Sequence, residues 1–358
     1  MNKTNTEKLI ERIVNAKAET VKLGIDQHAR DVVVSVQLDG SIPQRAQRMN
    51  VEQLLVAAEE LIKAGLKVYA SYESGPCGFV LYRRLTALGV TTYVVHPVSL
   101  SDGRGQKTDG LDAQGLVDQL DRYIRGNKKA MTVVAVPTCE DEQARAQGRL
   151  RGQLKKARNQ AEAQGRSLLL VHGWHVIGAW WKKARWETLQ STLPEWIVKN
   201  LEVLRRVLLA VDTEELALRR QLEAAAPQDL PKAVGALTWV LLLQEMCSWT
   251  RFKNRRQVAS YTGLCPGVKQ TGTSKRDGHI NRHGNPRVRA LLIELVWRLV
   301  RWQPDYPPVE KLVAGVVRGA ARRKLAVAAA RRLAIDLWRL ATKQTTPEKL
   351  KLIVPATL

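Results

Sequence analysis

The chain has 358 residues, enough for more than one core, and its 45% hydrophobic content excludes a disordered polymer. Its formal charge of +23 is far above what solubility requires and indicates a polyanionic partner, for which nucleic acid is the default. No apolar run approaches the roughly 18 residues of a membrane span, and four dispersed cysteines without a CxxC pair exclude a disulfide framework or zinc ribbon. A reducing cytoplasm is the expected location, with no membrane partner.

The first third reads as an α/β unit. VKLGID and DVVVSVQLDG are β-rich runs joined by a polar turn with His28 and Arg30, so the first strand of a hairpin ends at Asp26. A helix is predicted from Val51 to Ala64, then a strand KVYASYES carrying Glu73 and stopped by Gly75 and Pro76. A helix around Phe79 to Leu88 and a strand VTTYVVHP complete the order β-β-α-β-α-β, which builds a mixed sheet with helices packed on it. Sites in such sheets form beyond strand ends, where Asp26 and Glu73 fall. In KTDGLDA, Asp109 and Asp112 are three apart and share a face if a helix opens there. An acid at a helix start also serves as an N-cap, so Asp109 has that alternative role.

From Glu140 to Leu170 a long helix is predicted, weakened by Gly148, Gly152 and Gly165. Arg145, Arg149, Lys155 and Lys156 make it a phosphate-tracking surface. Trp174, Trp180, Trp181, Trp186 and Trp196 form either a satellite core, the favoured reading, or platforms for bases. A second helix from Trp196 to about Ala225 returns along the first as an antiparallel hairpin or coiled-coil arm.

Between Arg251 and Arg289 there are ten Lys or Arg residues against the single acid Asp277. Arg251, Lys253, Arg255, Arg256, Lys275, Arg276, Arg282, Arg287 and Arg289 are candidate phosphate contacts, as is Lys107 earlier in the chain. The segment GLCPGVKQTGTSKRDGHINRHGNP reads as a loop, and its hydroxyls Thr271 and Ser274 are turn residues unless chemistry uses them. Asn285 to Trp302 has the period of a core helix. Arg318 to Lys343 is a basic amphipathic helix in which Arg322, Arg323, Lys324, Arg331 and Arg332 suit a nucleic-acid backbone.

The words LGIDQHARDVVVSV, YESGPCGF, VVHP, KTDGLDAQGL, RFKNRRQVASYTGLCPGVKQTG and NRHGNPRVRALL occur in this order. Together they resemble the DEDD-type insertion-sequence transposases, a RuvC-like group that includes the bridge-RNA-guided recombinases and is related to the Piv DNA invertase. The resemblance implies an α/β plus all-α chain. Its parts are an N-terminal helical extension (1–20), a RuvC/RNase H-like mixed sheet with helices (21–137), a helical coiled-coil arm (138–229), a small mainly helical C-terminal domain with a hydroxyl nucleophile (230–347) and a tail (348–358). It implies DNA strand cleavage and rejoining through a covalent hydroxyl-phosphate intermediate, at a composite site that a partner subunit can complete. Asp26, Glu73, Asp109 and Asp112 would be catalytic metal ligands for two magnesium ions about 4 Å apart, with manganese as a substitute. Zinc is not expected, because His172, His175, His279 and His283 lack ligand neighbours.

The family's nucleophilic serine aligns with Thr271, a departure from the pattern. A threonine hydroxyl can do the same chemistry, although its methyl crowds an in-line attack, and Ser274 is the second candidate. Implied partners are donor and target DNA, a structured guide (bridge) RNA, and further copies of the chain as a dimer or tetramer. The protein would be nucleoid-associated when bound to DNA. The alternatives are a RuvC-like Holliday-junction resolvase or nuclease that uses water, and a non-catalytic nucleic-acid-binding protein.

Overall fold

A computed structural model describes residues 5–97, 108–271, 274–315 and 317–354, with backbone alone at 5, 268–271 and 274–277. Lys107 therefore lies outside the described residues, and Lys275, Arg276, Thr271 and Ser274 have a described backbone only. The chain divides into two compact units, residues 1–136 and 137–358.

The first unit runs α1 (Asn5–Asn15), β1 (Thr20–Gln27), β2 (Asp31–Leu38), β3 (Gln47–Asn50), α2 (Val51–Lys63), β4 (Lys67–Glu73), α3 (Val80–Ala87), β5 (Thr91–Val95) and α4 (Asp109–Ile124). Its sheet has the order β3-β2-β1-β4-β5, antiparallel on the β2 side and parallel on the β4 side, so β1 is central. The predicted strands and helices are all present, and β3 is added. Its sequence QRMN is too short and polar to show alternation.

The two faces of β1 differ in chemistry because strand side chains alternate. Val21, Leu23 and Ile25 join a core with Leu9, Ile13, Leu54, Leu61, Leu81 and Leu85 from α1, α2 and α3. Lys22, Gly24 and Asp26 face the other way, under α4. Lys22 and Asp121 form a buried ion pair of 2.6 Å. Gly24 is required by contact: a Cβ there would stand 2.2 Å from the Ala113 carbonyl oxygen and 2.7 Å from Val117. Thr108 caps α4, its Oγ1 accepting from the Leu111 amide at 3.4 Å, so Asp109 is the first helical residue and its carboxylate is not needed as the cap.

The second unit runs α5 (Cys139–Val171), α6 (Lys183–Gln190), α7 (Glu195–Ala224), α8 (Ala236–Met246), α9 (Arg255–Thr262), β6 (Pro266–Thr271), β7 (Ser274–Ile280), α10 (Pro286–Trp302), α11 (Glu310–Val313) and α12 (Gly319–Ala341). It has two cores. In the first, α5 and α7, of 33 and 30 residues, pack along each other around Leu169, Ile197, Leu201 and Leu208. Trp180, Trp181 and Trp186 are buried there, and the Trp180 indole donates to the Glu162 carbonyl at 2.9 Å. Those tryptophans are core, and Gly165 exists to admit Trp180, whose ring would lie 2.1 Å from a Cβ. Trp196 is half exposed and meets His172 edge to face.

The other core joins α8 to α12 through Leu242, Leu292, Leu295, Leu299, Leu333 and Leu337. The segment after Gly263, expected as a loop, is an antiparallel hairpin in which Thr271 pairs with Ser274. Backbone pairing builds this hairpin without the apolar alternation that marks a strand in sequence.

The contact at Gly24 predicts that Gly24→Ala destabilises the first unit by about 2–3 kcal/mol, because the neighbour is helix backbone that cannot rotate away. Urea unfolding measures it, and unchanged stability would show that α4 does not rest on β1.

Candidate active site

The site begins with a register. Along β1, Lys22 meets Asp121, Gly24 meets Ala113 and Val117, and the next residue of the same face is Asp26. Two strand residues span about 6.6 Å and four helical residues about 6 Å. One turn before Ala113 is Asp109, so helix and strand advance together and bring Asp109 to the end of β1 that carries Asp26. The sheet adds a third side: Asp26 pairs with Val33, and Val33 with Arg48 on β3, one row across three strands.

His28 closes the group, its Nε2 lying 3.4 Å from an Asp26 oxygen and 3.2 Å from an Asp109 oxygen. Arg48 bridges Asp109 at 2.7 Å and Asp31 at 2.9 Å. The Asp31 hydrogen bond and charge are the main reasons the Arg48 guanidinium is held above its ordinary pKa. Asp26, His28 and Asp109 each offer one ligand atom, all within 4.8 Å of one another. The Nε2 atom is buried and has no hydrogen-bond partner despite its two carboxylate neighbours. Two carboxylates and an orphaned imidazole nitrogen are a fitting donor set for one divalent cation.

Glu73 and Asp112 do not belong to this three-residue group. Asp26 and Glu73 are the residues just beyond the Ile25–Tyr72 pair on neighbouring parallel strands, which run about 4.8 Å apart, and Glu73 is exposed. Asp112 is half-buried, one turn along α4 from Asp109. The residue missed in sequence is His28. Its signal was the spacing Asp-x-His at a strand end, where alternation turns both side chains to one face.

In the second unit the β6–β7 hairpin is clamped at its base. The Gly263 and Gly284 backbones touch so closely that a Cβ on Gly284 would lie 2.2 Å from the Gly263 nitrogen. Asn281 N donates to Cys265 O at 2.8 Å, and Asn285 N to Tyr261 O at 2.7 Å. Asn285 caps α10 through its side-chain oxygen and donates its amide hydrogen to Glu245 at 2.8 Å. Glu245 is buried and also accepts a forked pair from Arg149 at 2.9 and 3.0 Å. The GLCP and HGNP words thus build the two feet of a projection, with Thr271 and Ser274 near its tip.

Residues 231–308, which span this hairpin and its supports, match the IS116/IS110/IS902 transposase family. The chain is 30% identical over 302 residues to a Sinorhizobium fredii protein named "Putative transposase y4rJ", covering 75% of each. The chain belongs to the IS116/IS110/IS902 family of transposases. It is also 25% identical over 282 residues to the transposase for insertion sequence element IS1111A of Coxiella burnetii, covering 74% of this chain and 75% of the relative.

The basic residues of this transposase fall into two kinds. Lys155, Lys156, Lys253, Arg255, Arg256, Arg282, Arg287, Arg322, Arg323 and Lys324 are exposed. Others have structural partners: Arg149 holds Glu245, Arg251 stacks on Tyr261 with 4.3 Å to the ring centroid, Arg289 donates to the Thr262 carbonyl, and Arg332 binds the buried Asp336. Arg145 and Arg331 are half-buried. No helix among the described residues is long and apolar enough to cross a membrane.

Burial acts most strongly on the Glu245 carboxyl and pushes it up. Hydrogen bonds from Arg149 and Asn285, with the charges of Arg149 and Arg287, outweigh that and hold it below its ordinary value of 4.5. A depressed carboxylate contributes stability that is present above the unfolded-state pKa and lost as pH falls through the folded one. Thermal unfolding of the second unit should therefore lose midpoint as pH drops below about 4.5. Glu245→Gln should be less stable at neutral pH and less acid-sensitive; an equal acid response in both proteins would remove Glu245 from this role.

Proposed function

We propose that this insertion-sequence transposase cleaves and rejoins DNA strands, with the Asp26–His28–Asp109 group holding a divalent cation and the β6–β7 hairpin supplying a hydroxyl nucleophile. The observation that carries the reading is the convergence of Asp26 and Asp109, 83 positions apart, within one cation's reach of each other. Glu73 and Asp112 border the group and are proposed as further carboxylates for it. Magnesium, held through the carboxylate oxygens with His28 beside them, is the proposed ion, with manganese as a substitute; when bound, it would neutralise the carboxylates and stabilise charge on the phosphate oxygens.

The chain's own residues do the rest. Asp26 and Asp109 are fixed by the strand and the helix start, and Arg48 offsets part of the charge through its pair with Asp109. The proposed nucleophile is Thr271, with Ser274 second. Its oxygen forms a bond to phosphorus and gives up its proton, while the bond to the departing DNA oxygen breaks and that oxygen leaves, protonated, as a strand end. A hydroxyl end of another strand then attacks the protein-bound phosphorus, and the protein oxygen recovers a proton.

A guide RNA is proposed as the source of target choice, as in other systems where base pairing reads sequence. The charge of +23 supports a polyanionic partner, a class that includes RNA as well as DNA. A homo-oligomer is proposed through the α5–α7 arm, on which Leu150, Val203, Val207, Leu209 and Leu216 are exposed apolar side chains.

The test incubates protein, co-purifying RNA, magnesium and element-end DNA and reads covalent protein–DNA adduct on a denaturing gel. Asp26→Asn and Asp109→Asn should each reduce adduct by about two orders of magnitude, the scale of removing one electrostatic stabiliser. Thr271→Ala should abolish adduct and Ser274→Ala should not. Cleavage without adduct in the double variant would replace this reading with hydrolysis by water, and activity that survives RNase would exclude the guide.

A further inference from the structure

The α5 glycines pose a question that packing answers only in part. Gly165 admits Trp180, and Gly148 admits Gln244 and Leu241, whose nearest atoms would lie 2.6 and 2.7 Å from a Cβ. A Cβ on Gly152 would meet nothing within 4 Å. A glycine inside a helix costs about 0.5–1 kcal/mol relative to alanine, and no neighbour among the described residues requires this one. The space beside it is a cleft of about 460 Å³ between α5, the end of α8 and the first turns of α10.

That cleft is lined by cations. Arg145, Arg149, Gly152 and Lys156 recur at intervals of four, three and four, which places them on one face of α5. Arg151 and, from α10, Arg287 complete the lining. The acid in the wall is Glu245, already forked onto Arg149, and Arg287 stands 3.8 Å from it. Arg151 binds Glu215 at 2.8 Å through one terminal nitrogen. The Nε atoms of both Arg145 and Arg151 are buried without a hydrogen-bond partner. Gln244 Oε1 in the same wall and Glu215 Oε1 beside Arg151 are likewise buried without a hydrogen-bond partner, so the cleft holds donors and acceptors together that a polar ligand would satisfy.

We propose that this cleft is a phosphodiester clamp that seats a DNA strand beside the base of the β6–β7 hairpin. Arg149 is fixed by Glu245 and shapes the wall, Arg145 and Lys156 supply charge to the cleft, Arg287 shares Glu245 with Arg149 and adds a further cation from α10, and Gly152 keeps the floor open to a sugar-phosphate chain. Arg287 is two residues from Asn285, which caps α10 and belongs to the hairpin's foot. A strand held here is therefore tied to the segment that carries Thr271 and Ser274. The inference rests on the strand-transfer reading only for the choice of DNA as the polyanion.

The experiment measures equilibrium binding of the full chain to fluorescein-labelled element-end DNA, and to RNA of the same sequence, by anisotropy over a salt series in EDTA. Gly152→Trp, which fills the cleft and removes no charge, should weaken DNA binding at least tenfold with its thermal midpoint unchanged. Gly152→Ala, which adds one methyl to the floor, should weaken DNA binding in the same direction but by less than Gly152→Trp. Arg145→Ala with Lys156→Ala should lower the slope of log affinity against log salt by about two, at roughly 0.9 per phosphate contact.

A folded Gly152→Trp that binds DNA as tightly as the parent would overturn the proposal, as would an unchanged slope in the double variant, which also decides the matter if Gly152→Trp fails to fold. Weakened RNA binding with DNA binding intact would overturn the assignment to DNA. Because EDTA removes the chemistry from the measurement, a failed adduct assay with a normal clamp, or the reverse, separates this inference from the strand-transfer reading.

Discussion

The docking of α4 on the polar face of β1 is the constraint on which the first unit's function depends. Two contacts set it: the backbone approach at Gly24 and the buried pair of Lys22 with Asp121. The pair is a weak source of net stability, because desolvating two charges offsets most of their attraction. Removing one partner would nonetheless cost about 3–5 kcal/mol by stranding the other. The effect that wins is therefore selection of register. A slip of α4 by one turn would leave Lys22 without its carboxylate and press bulk against Gly24, and Asp109 would miss Asp26. A site made from the start of a helix and the end of a strand needs such a lock, since neither element alone fixes the distance between the two acids.

The second unit solves a related problem with a different device. Its hairpin has few apolar side chains with which to hold itself, so rigidity comes from its feet. The contact of Gly263 with Gly284 and the cap by Asn285 bind the feet together, and Glu245 ties that cap to α5 through Arg149. One buried carboxylate thus joins three elements, and its full satisfaction by hydrogen bonds is what makes its burial tolerable. The same residue fixes Arg149 in the wall of the basic cleft, so support of the hairpin and shaping of the cleft share one ion pair.

Much of this was legible in the sequence, and the failures have physical causes. The strands and helices of the first unit carry strong alternation or a 3.6-residue period, and each formed where that pattern placed it. β3 did not show because a four-residue polar edge strand has no pattern. The hairpin did not show because its signal, Gly and Pro among basic residues, is also that of a loop. Of the acids, Asp26 and Asp109 were visible through their positions at element ends. His28 was passed over as a turn residue, since a lone histidine gains meaning only when β1 and α4 are packed. Glu245 was hidden for the opposite reason: one acid in the apolar run ALTWVLLLQEM reads as the exposed end of a core helix, and its partners lie 96 positions before it and 40 after. The long basic stretch of α5 was read as a phosphate-tracking surface, and sequence could not divide it into arginines committed to internal acids and those left facing solvent.

That division bears on what the charge of +23 means. Arg149, Arg151, Arg158 and Arg332 are matched by carboxylates at 2.8 to 3.0 Å, so they contribute shape more than field. The exposed remainder, Lys155 and Lys156 on α5, Lys253 to Arg256, Arg282 and Arg287 around the hairpin, and Arg322 to Lys324 on α12, generates the long-range attraction. Such side chains bind any phosphate chain and are screened over about 8 Å at physiological salt. Discrimination must therefore arise where cations are fixed rather than where they are numerous. Fixed cations of the second unit are held by Glu245, Glu215 and Asp336, and two of them, Arg149 and Arg151, line the cleft beside Gly152, so a strand that meets the diffuse field first would be positioned there.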